Sequence, residues 1–155
     1  MESESSRAVA ALMTATPVLV GVATRAVEQL GEEVSLAQFR LLRAVAEMGS
    51  SPSAVVAQRL GSAGSSVTRL ADRLEDSGYL VRRRERPNRS VVRLELTAAG
   101  RELVDRVVAW RRDELTELVD RLPDGVAGQI ATALDAVVAA AGSVYDASPI
   151  ELQVL

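Results

Sequence analysis

Residues Ser53–Thr97 constrain this chain more than any other stretch. They read SAVVAQRLGSAGSSVTRLADRLEDSGYLVRRRERPNRSVVRLELT. From about Ser62 to Ser77 the apolar residues Val67, Leu70, Ala71 and Leu74 recur at i, i+3, i+4 and i+7, which is one face of an α-helix. The opposite face carries Ser62, Ser65, Arg69 and Asp72, with Ser66, Thr68 and Arg73 at its edges. A shorter helical pattern precedes it, from Ser53 as a cap to Leu60, with Val56, Ala57 and Leu60 inward and Gly61 supplying the turn. Two short amphipathic helices joined by a Gly/Ser turn bury their apolar faces by crossing over a shared core.

A hairpin pattern follows. Leu80–Arg84 and Val91–Leu96 are strand-like runs, and Val92, Leu94 and Leu96 alternate with Val91, Arg93 and Glu95. Pro87-Asn88 punctuates the turn between them. Arg82, Arg83, Arg84, Arg86, Arg89 and Arg93 crowd this hairpin, and between residues 82 and 93 the single acid is Glu85. Charges of one sign held so close repel, and a polyanion relieves the repulsion. Residues 53–93 hold nine arginines against four acids, whereas the rest of the chain holds nine against seventeen. An acidic protein that concentrates positive charge in a helix-turn-helix and a hairpin is built like a reader of double-stranded DNA.

Ser62, Gly64, Ser65, Ser66, Thr68, Arg69 and Arg73 on the second helix are therefore the candidate DNA contacts, with Arg84, Arg86 and Arg89 on the hairpin. A recognition helix meets base edges with its N-terminal residues, and phosphates favour a helix N-terminus. The small residues Ser62, Ala63 and Gly64 allow close approach of backbone to phosphate. Arginine in the hairpin suits the negative potential of a minor groove.

Composition removes other classes. The 155 residues contain no Cys, no His and no Lys. Disulfides, thiolate metal sites and thiol sensors are excluded, as are the commonest metal ligand, the commonest general base and any Schiff-base or phosphate-loop lysine. No pair of carboxylates is singled out and no serine has a histidine to activate it, so we expect no catalytic residues, no metal, no cofactor and no enzyme. The chain is 48% hydrophobic and 25% charged, as a globular domain is. No apolar run of about 18 residues stands out, which predicts no membrane span. The polar, acidic start MESESSR is unlike a secretory signal, and a cytoplasmic location is expected.

Flanking segments read as helices. Residues 1–6 are expected to fray. Val9, Leu12, Met13, Leu19, Val20, Ala23, Val27 and Leu30 trace a stripe between Arg7 and Leu30, with a kink or break expected near Thr16 because of Pro17. Gly31 ends that helix. Ser35 and Gln38 have capping-box spacing, Leu36, Phe39, Leu42 and Val45 supply the buried face that follows, and Gly49 suits its C-terminus. Ser50-Ser51-Pro52 reads as a linker, and Ser62 or Ser65 must cap the second helix of the pair because Ala63 cannot. Thr97 closes the hairpin and caps a helix from about Ala98 to Leu122. Asp124 is the expected cap of a last helix, which should form an antiparallel pair with its predecessor.

The expected fold is mainly α with a small β-hairpin wing: a winged helix-turn-helix region over 35–97, a helical dimerisation region over 7–34 and 98–142, and a tail over 143–155. The terminal helices carry more apolar stripe than one small winged unit covers, which predicts a symmetric homodimer, and the apolar end Ser148–Leu155 can dock across it.

Several runs resemble the multiple-antibiotic-resistance regulator (MarR) family of winged-helix transcription factors. They are Leu36-Ala37-Gln38-Phe39-Arg40-Leu41-Leu42, Val56-Ala57-Gln58-Arg59-Leu60-Gly61, the segment Val67–Arg82, and Leu96-Thr97-Ala98-Ala99-Gly100. The likeness spans about residues 7–142. It implies a dimer with two recognition helices set for a pseudo-palindromic duplex, phosphate contacts from Thr68 and Arg69, and wing arginines in the minor groove. It also implies a small-molecule effector, aromatic or anionic, that releases DNA. The chain departs from the family pattern at the wing tip, where Asn88-Arg89-Ser90 replaces an Asp-x-Arg signature. With Phe39, Tyr79, Trp110 and Tyr145 as the only aromatics, an effector pocket would be lined mainly by aliphatic side chains and arginine. The leading expectation is a dimeric, sequence-specific DNA-binding regulator, more in the manner of a repressor. The alternative is a winged-helix protein that acts by protein–protein contact without DNA, suggested by the altered wing tip and by Asp72 and Asp76.

Overall fold

A computed structural model describes residues 3–31, 33–84 and 91–142. The elements run α1 (Glu4–Glu28), α2 (Leu36–Met48), β1 (Ser51–Pro52), α3 (Ser53–Arg59), α4 (Gly64–Asp76), β2 (Leu80–Arg84), β3 (Val92–Leu96), α5 (Ala98–Asp120) and α6 (Val126–Ala141). The sheet is antiparallel in the order β1-β3-β2, with Leu80 opposite Leu96, Arg82 opposite Leu94 and Arg84 opposite Val92. This is the mainly helical winged helix-turn-helix expected.

Helix α2 is the hub. Its Leu41, Leu42 and Val45 are buried among Val56 of α3, Val67, Ala71 and Leu74 of α4, Leu80 and Leu94 of the sheet, and Leu103 and Val107 of α5. Its start is held as the spacing predicts: Ser35 Oγ accepts the Gln38 N–H at 3.3 Å, and Gln38 Oε1 accepts the Ser35 N–H at 2.8 Å. Ser35→Ala should cost about 1 kcal/mol, read as a lowered midpoint of thermal unfolding; an unmoved midpoint would show that α2 is held by its core face alone. Leu36, assigned to that core face, is 42% exposed, because the first turn projects beyond the packed layer.

Several local expectations give way. Helix α1 starts at Glu4, capped by Ser3, and runs through Pro17 unbroken. That half of the helix is exposed, so the carbonyl that Pro17 leaves without a donor stays open to water. With 25 residues and few charges, α1 is long and apolar enough to cross a membrane by length and composition, contrary to the sequence reading. Its C-terminal part instead buries Val22, Ala23 and Ala26 and packs on α5.

Ser51-Pro52 is an edge strand rather than a linker, with Ser51 buried opposite Leu94. Proline is tolerated there because an edge needs no second donor. Pro52, not Ser53, takes the N-cap position of α3, without a side-chain bond. Gly125, at φ 79°, replaces Asp124 at the start of α6. Helix α6 does not lie packed along α5; it buries none of its residues, and α5 packs on α1 and α2 instead. The tail lies outside the described residues.

Candidate nucleic-acid interface

Helix α4 presents a buried side and an open side. Val67, Ala71 and Leu74 are buried, whereas Gly64, Ser65, Thr68, Arg69 and Arg73 are exposed and Ser62 and Ser66 are half-buried. The expectation that Ser62 or Ser65 caps this helix is not met. Ala63 is the N-cap with no side-chain bond, and Ser62 Oγ turns back to donate to the Leu60 carbonyl at 3.2 Å. The Ser66 and Val67 N–H groups both donate to the Ala63 carbonyl, and those of Gly64 and Ser65 have no partner among the described residues. An uncapped helix start with two open donors suits an anion. Thr68 Oγ1 donates to the Gly64 carbonyl at 3.0 Å and Arg69 Nε to that of Ser65 at 3.4 Å, so both side chains fold over this first turn.

The hairpin is less uniformly cationic than its sequence. Six arginines read there as one polyanion-seeking cluster, but three are engaged within the protein. Arg82 donates to Asp72 through Nη2 and to Glu75 through Nε at 2.8 Å, while its backbone N–H reaches the other Glu75 oxygen at 3.1 Å. These two acids hold the guanidinium pKa above its ordinary value, the Asp72 hydrogen bond most of all. Arg83 pairs with Glu95 at 2.8 Å. Arg93 donates to the Ser50 carbonyl at 2.7 Å and to Ser50 Oγ at 3.2 Å. Ser50 Oγ in turn donates to Glu95, and with Arg83 this holds the Glu95 carboxyl below its usual range. Arg69, Arg73 and Arg84 carry no ion pair among the described residues. Arg86 and Arg89 lie outside the described residues.

The end of the reading unit is tied to the long helix behind it. Thr97 Oγ1 accepts the Gly100 N–H at 3.0 Å and donates to the Gly78 carbonyl at 2.7 Å, so one residue caps α5 and closes the turn after α4. Glu33 receives the Tyr79 hydroxyl at 3.2 Å and Arg106 at 2.8 Å; the Arg106 hydrogen bond is the main cause of its lowered pKa.

The role of Arg82 was not separated from that of its neighbours in the sequence, although a signal existed. Asp72 and Glu75 stand at i, i+3 on α4, so they share a flank of the helix, and a carboxylate pair beside an arginine-bearing strand invites a fork contact. Among the described residues no group of three or more acidic side chains could hold a metal ion.

A two-helix reader with an open α4 and an antiparallel wing behind it defines a winged helix-turn-helix protein. Residues 33–89 match the family model described as MarR family. Solved structures share the architecture. RV1404 from Mycobacterium tuberculosis is 28% identical with a TM-score of 0.82, over 92% of this chain and 97% of that one. Transcriptional regulator Tm0710 from Thermotoga maritima is 22% identical with a TM-score of 0.73, over 90% and 97%. A MepR mutant from S. aureus, bound to an oligodeoxyribonucleotide, is 18% identical with a TM-score of 0.67, over 90% and 99%. No curated protein matches the chain. Over residues 33–89 the chain is thus similar to the MarR family, and it shares the winged helix-turn-helix fold of these solved structures.

Proposed function

We propose that this protein is a dimeric, sequence-specific DNA-binding regulator that acts in the cytoplasm as a ligand-responsive repressor on a pseudo-palindromic operator. The observation that carries the reading is the exposed first half of α4. Its open N–H groups and its cations Arg69 and Arg73 carry no acidic partner among the described residues, in a protein of net charge −3. The oligonucleotide bound to the S. aureus relative supports it. Ser62, Gly64, Ser65, Ser66, Thr68, Arg69 and Arg73 form the major-groove set, and Arg84, with Arg86 and Arg89, the wing set. A homodimer built on α1, α5 and α6 presents two such readers, and the effector is a small aromatic or anionic molecule.

The reading without DNA loses part of its support. Of the two acids that suggested it, Asp72 is paired with Arg82, while Asp76 stays exposed with no ion pair among the described residues.

A mobility shift on fragmented DNA from around the protein's own gene, run across a salt series, tests the proposal. The wild-type protein should select one fragment at nanomolar concentration and resist competitor DNA. Arg69→Ala and Arg84→Ala should each weaken binding and lower the slope of log K against log salt by about 0.9, the share of one phosphate contact. Unchanged slopes in both variants would remove the proposed contact set.

A further inference from the structure

We propose that Arg82 is a positioning residue for DNA binding: it clamps wing strand β2 to recognition helix α4 and thereby aims Arg84, without itself touching DNA. The inference rests on the DNA-binding reading above.

Alternate residues of a strand share a face, so Leu80, Arg82 and Arg84 lie on one side of β2, opposite Leu96, Leu94 and Val92 of β3. Along that face Leu80 is buried, Arg82 half-buried and Arg84 exposed. The face that begins in the core thus ends at solvent, on the side of the sheet that meets α4. At its midpoint Arg82 makes three hydrogen bonds to α4. Glu75 takes the Arg82 backbone N–H at 3.1 Å on one oxygen and Nε at 2.8 Å on the other, and Asp72 takes Nη2. The backbone bond fixes the strand, and the two side-chain bonds fix the guanidinium plane. A planar fork engaging two carboxylates holds orientation in a way that a single point charge cannot.

Beyond Arg82 the ribbon has two residues to go before Arg84 ends β2. A small change of strand angle at Arg82 moves the Arg84 guanidinium relative to Arg69 and Arg73, whose places α4 sets. The clamp makes helix and wing one reading surface.

The arrangement also predicts an effect of unexpected sign. Asp72 and Glu75 are negative charges on the helix proposed to face DNA, and simple electrostatics says that removing them strengthens binding. The clamp says the reverse. The double variant Asp72→Ala with Glu75→Ala should bind the duplex fragment selected by wild-type protein about tenfold more weakly, although alanine favours the helix. In a background that already carries Arg84→Ala the same pair should have little further effect, because the clamp acts through that residue. Arg82→Lys keeps the charge but not the fork and should lose nearly as much; it serves also if the double variant folds poorly. Binding is compared at a temperature where circular dichroism melts show each variant folded. Affinity that rises or stays level in the double variant or in Arg82→Lys overturns the clamp. So does an equal loss with and without Arg84, the mark of a structural role alone. Absence of salt-dependent binding by the wild-type protein removes the DNA reading, and the clamp with it.

Discussion

A variant carrying Leu134→Glu and Val138→Glu should run as a monomer in light scattering and bind operator DNA at least about a hundredfold more weakly, the loss of linked binding at two half-sites. Helix α6 makes this the expected result. Its 16 residues include a single charge, Asp135, and none is buried. Ile130, Leu134, Val137 and Val138 stand 37%, 40%, 41% and 71% exposed on a stripe of helical spacing. An isolated helix of that length is marginal in water by propensity alone, so its persistence calls for an apolar partner. The same want is repeated at the other end of the chain, where Val9, Leu12, Met13, Val18 and Leu19 of α1 are exposed. In the homodimer proposed above, a second copy would supply both partners with one symmetric surface. The charged pair should leave α2–β3 folded, because the core cluster that unit builds among the described residues includes no residue of α6. A doubly substituted protein that still has the mass of a dimer would place the interface elsewhere.

The second large effect is expected at Gly100. Gly100→Ala should lower stability by about 3 kcal/mol, the upper range for forcing atoms into a packed site, and shift the urea midpoint accordingly. A Cβ on Gly100 would stand 2.0 Å from the Tyr79 carbonyl oxygen and 3.0 Å from its carbon. Neither side can retreat freely. The Tyr79 carbonyl accepts the Thr97 N–H at 3.1 Å, and the Tyr79 N–H donates to the Leu74 carbonyl at 2.9 Å. Thr97 meanwhile holds the first turn of α5 to Gly78. In an unobstructed helix the same change would gain up to about 1 kcal/mol from propensity, so the sign of the result reports the contact. An unmoved midpoint would mean that α5 slides away from the turn at little cost. DNA affinity should fall with stability, since this turn joins the recognition helix to the first wing strand.

The two predictions draw on different parts of what the chain makes legible. Period-3.6 spacing in α4 and period-2 spacing in β3 are local steric facts, and Val67, Ala71 and Leu74, like Leu94 and Leu96, are buried as that spacing requires. The Ser35–Gln38 box and the Thr97 cap were legible for the same reason, since both partners lie within one turn of chain. The α4 cap was not legible. Serines flank Ala63 on the C-terminal side and just before it, and only the turn geometry sends Ser62 back to Leu60. Nor was the state of the wing arginines. A count of charge cannot tell Arg82, held between two acids of α4, from Arg84, which is open.

The periodic elements and the concentration of positive charge in 53–93 can be read along the chain, because they depend on residues a few places apart. The remaining features arise only from long-range packing. It made an edge strand of Ser51-Pro52, placed the Tyr79 carbonyl against Gly100, turned Arg82 inward and left α6 with none of its residues buried among the described residues. Each of these joins residues distant in sequence or leaves a face exposed. Such contacts are chosen only when the buried faces of α2, α4, α5 and the sheet come together, and periodicity within one segment carries no record of them.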